Sequence, residues 1–191
     1  MPERSDLYEA TLSSEEVLKG KLLHAFRDMA EVPGKGPAVR EWIRHPGAAA
    51  VVPLFDDGST VLIRQFRYPP RREFLEVPAG KLDVPGEAPE IAARRELAEE
   101  TGYTAERLTP LGALHPCIGY SDEVIHFFLA EGLTAGEMDL AEGENVVPVR
   151  MPFADACERA RRGEIADMKT VAALLMAEAA LARRAGDAGG A

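Results

Sequence analysis

A chain of 191 residues is long enough for one sizeable domain, or for a domain with a smaller appendage, so a single active site is the simplest expectation. With 46% hydrophobic and 28% charged residues and no apolar run of membrane-spanning length, the composition is that of a soluble globular protein. The formal net charge of -10 argues against a nucleic-acid binder, because phosphate backbones are held by clustered Lys and Arg. It leaves room for a small anionic substrate whose binding is mediated by divalent cations.

The opening Met1-Pro2-Glu3-Arg4-Ser5-Asp6 is polar, without the apolar stretch of a secretory signal, and predicts a cytoplasmic protein. Cys117 and Cys157 are too few for a disulfide framework or a zinc-type spacing, so both are expected to be small apolar fillers. From Leu7 to about Arg44, alternation leads into the turn cluster Val32-Pro33-Gly34-Lys35-Gly36-Pro37 and reads as antiparallel strands. A helix over Ser14 to Ala30, capped from Ser13-Ser14-Glu15-Glu16, is the rival reading.

Ala48 to Phe55 and Thr60 to Phe66 are apolar runs joined by Asp56-Asp57-Gly58-Ser59, which predicts a hairpin. Glu73 to Val77 is a short strand closed by Pro78-Ala79-Gly80. The period then becomes helical from Pro89 to Thr101, with Pro89 suited to a first turn and Gly102 to the left-handed position past the end. Strand-like runs return at Leu108 to Leu114, Val124 to Ala130 and Val146 to Arg150. Helices are expected at about Phe153 to Arg162 and Lys169 to Arg184, with 185–191 as a frayed tail. This order suggests an α+β or α/β/α sandwich domain.

On the central helix, Glu96, Glu99 and Glu100 are three and four residues apart, so their carboxylates fall on neighbouring positions of one face. They repel one another, and they sit at a helix C-terminus, where the macrodipole favours cations. A hard divalent cation, magnesium or manganese, would supply the missing charge. A solvated acidic face is the bland alternative.

The wider pattern runs from Gly80 through Glu87 and seven intervening residues to Arg95-Glu96-Leu97-Ala98-Glu99-Glu100-Thr101-Gly102-Tyr103. It resembles the Nudix box, G-x5-E-x7-R-E-U-x-E-E-x-G-U with U a bulky apolar residue. Six residues rather than five separate Gly80 from Glu87, so the loop before the helix carries an insertion.

The resemblance implies the Nudix fold, a mixed-sheet α/β/α sandwich, over residues 47–184. Residues 1–46 would form a small antiparallel β-sheet region that exchanges with a second subunit and helps build the substrate pocket, giving a homodimer. Glu96 and Glu100 would be metal ligands, and Arg95 would hold neighbouring carboxylates such as Glu87 or Glu99, or serve as an ordinary helix salt bridge.

The flanks resemble the ADP-ribose pyrophosphatase branch: Arg40-Glu41 with His45-Pro46-Gly47-Ala48, Arg64-Gln65-Phe66-Arg67-Tyr68-Pro69, Glu76-Val77-Pro78-Ala79-Gly80, and Pro116 with Gly119-Tyr120-Ser121-Asp122-Glu123. That branch implies a metal ligand at the Ala79 carbonyl. It also implies an acidic loop, Ala141-Glu142-Gly143-Glu144-Asn145-Val146, in which Glu142 would be the general base and Glu144 a further ligand; a solvated acidic loop is the alternative. Arg40, Glu41, Arg64, Arg67 and Glu76 are the candidates for holding adenosine or phosphates.

The expected reaction is hydrolysis of ADP-ribose to AMP and ribose 5-phosphate with Mg²⁺, or Mn²⁺ in its place. GDP-mannose or another nucleotide sugar is the alternative substrate. A non-catalytic Nudix-fold module that binds a nucleotide or a protein is the alternative of another class. A structural helix laid on a basic partner is a third reading, without Mg²⁺ dependence.

Overall fold

The computed structural model describes residues 5–140 and 143–189. The described residues fall into two units, one of residues up to Pro46 with Cys117–Val124, the other of Gly47–Pro116 with the residues from Ile125 onward.

In the first unit β1 (Ala10–Lys19), β2 (His24–Val32) and β3 (Gly36–Arg44) form an antiparallel sheet in that order. Strands therefore replace the alternative helix over Ser14 to Ala30. The tight turn between β2 and β3 uses Gly34 and Gly36, at φ 71° and 85°. Phe26 and Trp42 face each other across β2 and β3 and stack at 4.9 Å, with the Arg44 guanidinium 4.2 Å above the Phe26 ring. Residues 117–124 join β3 through the Ile43 N–H, donated to the Tyr120 carbonyl at 2.7 Å.

The second unit holds β4 (Ala48–Pro53), β5 (Ser59–Arg67), β6 (Arg72–Glu76), β7 (Ala79–Lys81), α1 (Pro89–Thr101), β8 (Tyr103–Leu114), β9 (Ile125–Ala135), β10 (Val146–Pro152), α2 (Phe153–Arg161) and α3 (Met168–Gly189). One sheet runs β7-β4-β9-β8, with β4 parallel to β9; the other runs β10-β5-β6 and is antiparallel.

Every residue of β4 is buried, and its two faces serve different layers. Ala48, Ala50 and Val52 pack with Leu62, Phe127, Cys157, Ala173 and Leu174, on the side of α2 and α3. Ala49 and Val51 pack with Ala92, Ala93 and Leu97 of α1. Helices thus cover the mixed sheet on both faces, the α/β/α sandwich. Among the described residues no helix is long and apolar enough to cross a membrane.

Three local expectations change. The expected turn forms, with the Phe55 N–H donated to the Ser59 carbonyl at 2.9 Å and a bridge Leu54↔Thr60, but the hairpin ladder stops there and β4 and β5 enter different sheets. A strand buried on both faces takes a central place between non-local partners, here β7 and β9, and an Asp-Gly turn does not outweigh that burial. Pro78-Ala79-Gly80, expected to close a strand, opens one instead, since Ala79, Gly80 and Lys81 pair with Ala50, Ala49 and Ala48. Helix α3 continues to Gly189, beyond Arg184, because Ala185 and its neighbours include no proline to stop it.

Candidate active site

Helix α1 begins with Pro89 in its first turn and ends at Gly102, which takes φ 73° and donates its N–H to the Ala98 carbonyl at 2.8 Å. Between these stops, Ala92, Ala93 and Leu97 form the buried face, and Glu96 and Glu100 lie on it too, only 7% and 4% exposed. The last turn has no basic residue, so the helix dipole adds to their repulsion. Glu99 turns outward to a cation and is more exposed.

Strand β7 lays its backbone against these two carboxylates. The Ala79 N–H donates to Glu100 Oε2 at 2.8 Å. A Cβ on Gly80 would stand 1.9 Å from Glu96 Oε1 and 2.0 Å from its Cδ, so any larger residue would force the Glu96 carboxylate to move. The inserted residue leaves both contacts in place. The loop turns from Val84 to Glu87, closed by the Glu87 N–H to the Val84 carbonyl at 3.1 Å, with Gly86 at φ 80°.

Arg95 gathers three carboxylates. Its Nε and Nη2 donate to the two oxygens of Glu87 at 3.1 and 3.0 Å, and its Nη1 donates to Glu96 at 2.5 Å and to Glu99 at 3.1 Å. The bond to Glu87 leads in raising the guanidinium pKa, and the same bond holds the Glu87 carboxyl below its usual range. Burial pushes Glu96 up, against the pull of Arg95. Burial also lifts Glu100 to about 8; the Ala79 N–H opposes this, while Glu96 and Glu144 add to it. Glu144, exposed just before β10, therefore lies within electrostatic reach of both buried glutamates.

Among the described residues no three His, Cys, Asp or Glu side chains form a ready-made metal cage. The donor chemistry nevertheless fits a hard divalent cation: the groups are oxygens, and two buried anions have raised pKa values that a positive charge would lower. Glu142, the expected base, lies outside the described residues.

A second charged cluster stands on β5 and β6. Glu76, 2% exposed, accepts from Arg67 Nε at 2.7 Å and Nη2 at 2.6 Å, and from the Lys169 ammonium. Its oxygens are thus already committed. Burial acts against the Glu76 anion, but the bonds to Arg67 and Lys169 prevail and leave its pKa lowered.

Arg64, on the same strand as Arg67, pairs with Glu73 at 2.9 Å in solvent. In the N-terminal unit Arg40 pairs with Glu9 at 2.7 Å and Glu41 with Arg27 at 2.9 Å, also in solvent. Lys169, Asp167 and Thr170 were not apparent as site residues. The available signal was the spacing Asp167-x-x-Thr170 ahead of an apolar helix, which marks an N-cap.

A helix with two buried glutamates against a glycine strand, one arginine joining one of them to two further carboxylates, and helices on both faces of a mixed sheet define a class. The chain belongs to the NUDIX family, whose domain model matches residues 44–174, and it is a Nudix hydrolase. It is 40% identical to an ADP-ribose pyrophosphatase of Bacillus subtilis (strain 168), over 88% of this chain and 91% of that protein.

A methanol dehydrogenase activator of Bacillus methanolicus is 36% identical over 87% and 90% of the two chains. A GDP-mannose pyrophosphatase of Cronobacter sakazakii is 37% identical over 67% and 71%. Among solved structures, an ADP compounds hydrolase superposes with a TM-score of 0.82 at 26% identity, covering 95% of this chain and 98% of that one.

Proposed function

We propose that this Nudix hydrolase splits ADP-ribose into AMP and ribose 5-phosphate with magnesium as its metal, manganese serving in its place. The observation that carries this reading is the pair of buried carboxylates, Glu96 and Glu100, pressed against the Ala79-Gly80 backbone, with one guanidinium, Arg95, shared among Glu96, Glu87 and Glu99. The ADP-ribose pyrophosphatase name of the Bacillus subtilis relative, which shares this chain almost end to end, supports the choice of substrate.

In this reading Glu96, Glu100, Glu144 and the Ala79 carbonyl hold the ion. Bound magnesium neutralises phosphoryl charge and acidifies water. Arg95 keeps Glu87, Glu96 and Glu99 in place, so the carboxylates need little rearrangement to act. Glu142 accepts the proton as water attacks one phosphorus and the bridging P–O bond breaks. Arg67 with Glu76, and Arg64, hold the substrate in the hydrolase unit, and Arg40 and Glu41 are the candidates for nucleotide contact that the N-terminal unit offers.

Residues 1–46 serve as a dimerisation region and residues 47–184 as the hydrolase domain, whose last helix runs on to Gly189. A homodimer is supported by the apolar side chains that the N-terminal sheet leaves open, among them Leu12, Val17, Leu18 and Val39, 43 to 55% exposed. Cytoplasmic residence accords with two cysteines that form no disulfide. The substrates are small nucleotides, and the net charge of -10 disfavours nucleic acid.

The test is a panel of ADP-ribose, GDP-mannose and other nucleoside diphosphate derivatives, assayed with and without millimolar magnesium. AMP and ribose 5-phosphate from ADP-ribose, in the presence of metal alone, are the expected products. Preferential cleavage of GDP-mannose would replace the substrate, a reading favoured by the Cronobacter relative's name. Absence of any turnover would favour the binding-module alternative, in line with the name of the Bacillus methanolicus relative.

A further inference from the structure

The start of α3 carries a lysine where helix physics disfavours one. Asp167 caps the helix: its Oδ2 accepts the Thr170 N–H at 3.0 Å, the Thr170 hydroxyl at 2.5 Å and the Lys169 ammonium at 2.9 Å. Lys169 therefore stands in the first turn, at the positive end of the macrodipole, with its side chain only 14% exposed. Burying a cation there costs free energy that the helix does not return. The ammonium reaches across to Glu76.

The next residue reaches the same segment. Thr170, fully buried, accepts the Val77 N–H on its hydroxyl at 2.9 Å. The first turn of α3 thus grips Glu76 and Val77 side by side, two residues before Ala79 meets Glu100. Glu76 in turn sets the Arg67 guanidinium through two bonds, while the Arg67 side chain stays 42% exposed.

We propose that Lys169 is a positioning residue of this site, acting through Glu76 to keep Arg67 both aimed and electrically available to the diphosphate. This rests on the reading of the site as a pyrophosphatase. Lys169 touches no substrate. With it, two cations face two carboxylates, Glu76 and Asp167; without it, Arg67 lies in a net negative cluster that repels a phosphate.

The test is a double-substitution cycle on the full chain, read by KM and kcat and, without turnover, by calorimetric binding of inorganic pyrophosphate with magnesium. Lys169→Met should raise KM, and weaken pyrophosphate binding, about tenfold, with kcat changed less than about threefold. Adding Glu76→Gln removes the uncompensated anion, and the double variant should return to within about threefold of Glu76→Gln alone. Lowered fold stability alone would reduce the amount of active protein and leave the KM of the folded fraction unchanged.

An unchanged KM in Lys169→Met, or independent multiplication of the two effects, would overturn the proposal. So would a wild-type protein that does not bind pyrophosphate. If Lys169→Met does not fold, the neutral double variant is compared with Glu76→Gln: similar affinities support the proposal, and a gap beyond about tenfold ends it. A wild-type protein that binds pyrophosphate but cleaves no nucleotide would remove the proposed function and leave the Lys169 inference to be judged by binding.

Discussion

The Arg95 and Glu76 clusters use the same ingredients in opposite proportions. Around Arg95 one guanidinium serves Glu87, Glu96 and Glu99, with Glu100 buried beside them on a backbone N–H alone. Around Glu76 one buried carboxylate is served by Arg67 and Lys169. Buried carboxylates in excess have raised pKa values, from burial first and then from one another, and are suited to take up an ion, whereas a carboxylate with two cations is saturated and holds other groups still.

Glu100→Gln tests the first half most severely. Turnover should fall about a thousandfold, as for loss of a principal charge-stabilising group, while the metal-free protein melts no lower than wild type, since the buried group no longer bears charge. A lowered melting point with intact turnover would reverse the assignment of the two clusters. Arg95→Met should do the opposite to the fold: stranding its carboxylates should lower unfolding free energy by about 2 kcal/mol, measured in urea.

Gly80→Ala sets the added Cβ against the Glu96 carboxylate, which must shift from the place where it meets Arg95. We expect about a tenfold loss of turnover with less than about 1 kcal/mol of stability.

The smallest effect separates the clusters by pH. The folded pKa of Glu100, about 8, exceeds its unfolded value of 4.5, so its contribution is fully present below the unfolded value and is lost as pH rises toward 8. The folded pKa of Glu76 is depressed, so its contribution is present above the unfolded value and is lost as pH falls through the folded one. Melting temperatures of metal-free protein should thus show a neutral-side decline that Glu100→Gln abolishes and an acid-side decline that Glu76→Gln reduces. A neutral-side decline unaltered in Glu100→Gln would detach it from that residue.

Helix α1 was legible because all its signals are local: Pro89, Gly102 and the glutamate spacing lie within one short segment. The Glu76 cluster was not, because Lys169 and Thr170 lie 93 residues away from the groups they bind. Strand β7 was misread for the same reason, since Ala79 and Gly80 carry little strand propensity and are recruited by pairing with β4. The β4 to β5 connection shows the converse: a strong turn signal was present, yet the strands it joins are claimed by separate sheets. Glu144 was expected by register and stands within electrostatic reach of Glu96 and Glu100.

The close approach of Gly80 to Glu96 bears on how such motifs are measured. The spacing from Gly80 to Glu87 is a length of string, while the contacts at its two ends are the knots: with six residues between them, Gly80 still lies against Glu96 and Glu87 still meets Arg95. Further lengthening at the Val84 to Glu87 turn should therefore be tolerated, making it a natural port for grafted sequence. A search that insists on fixed spacing will pass over chains whose sites are intact.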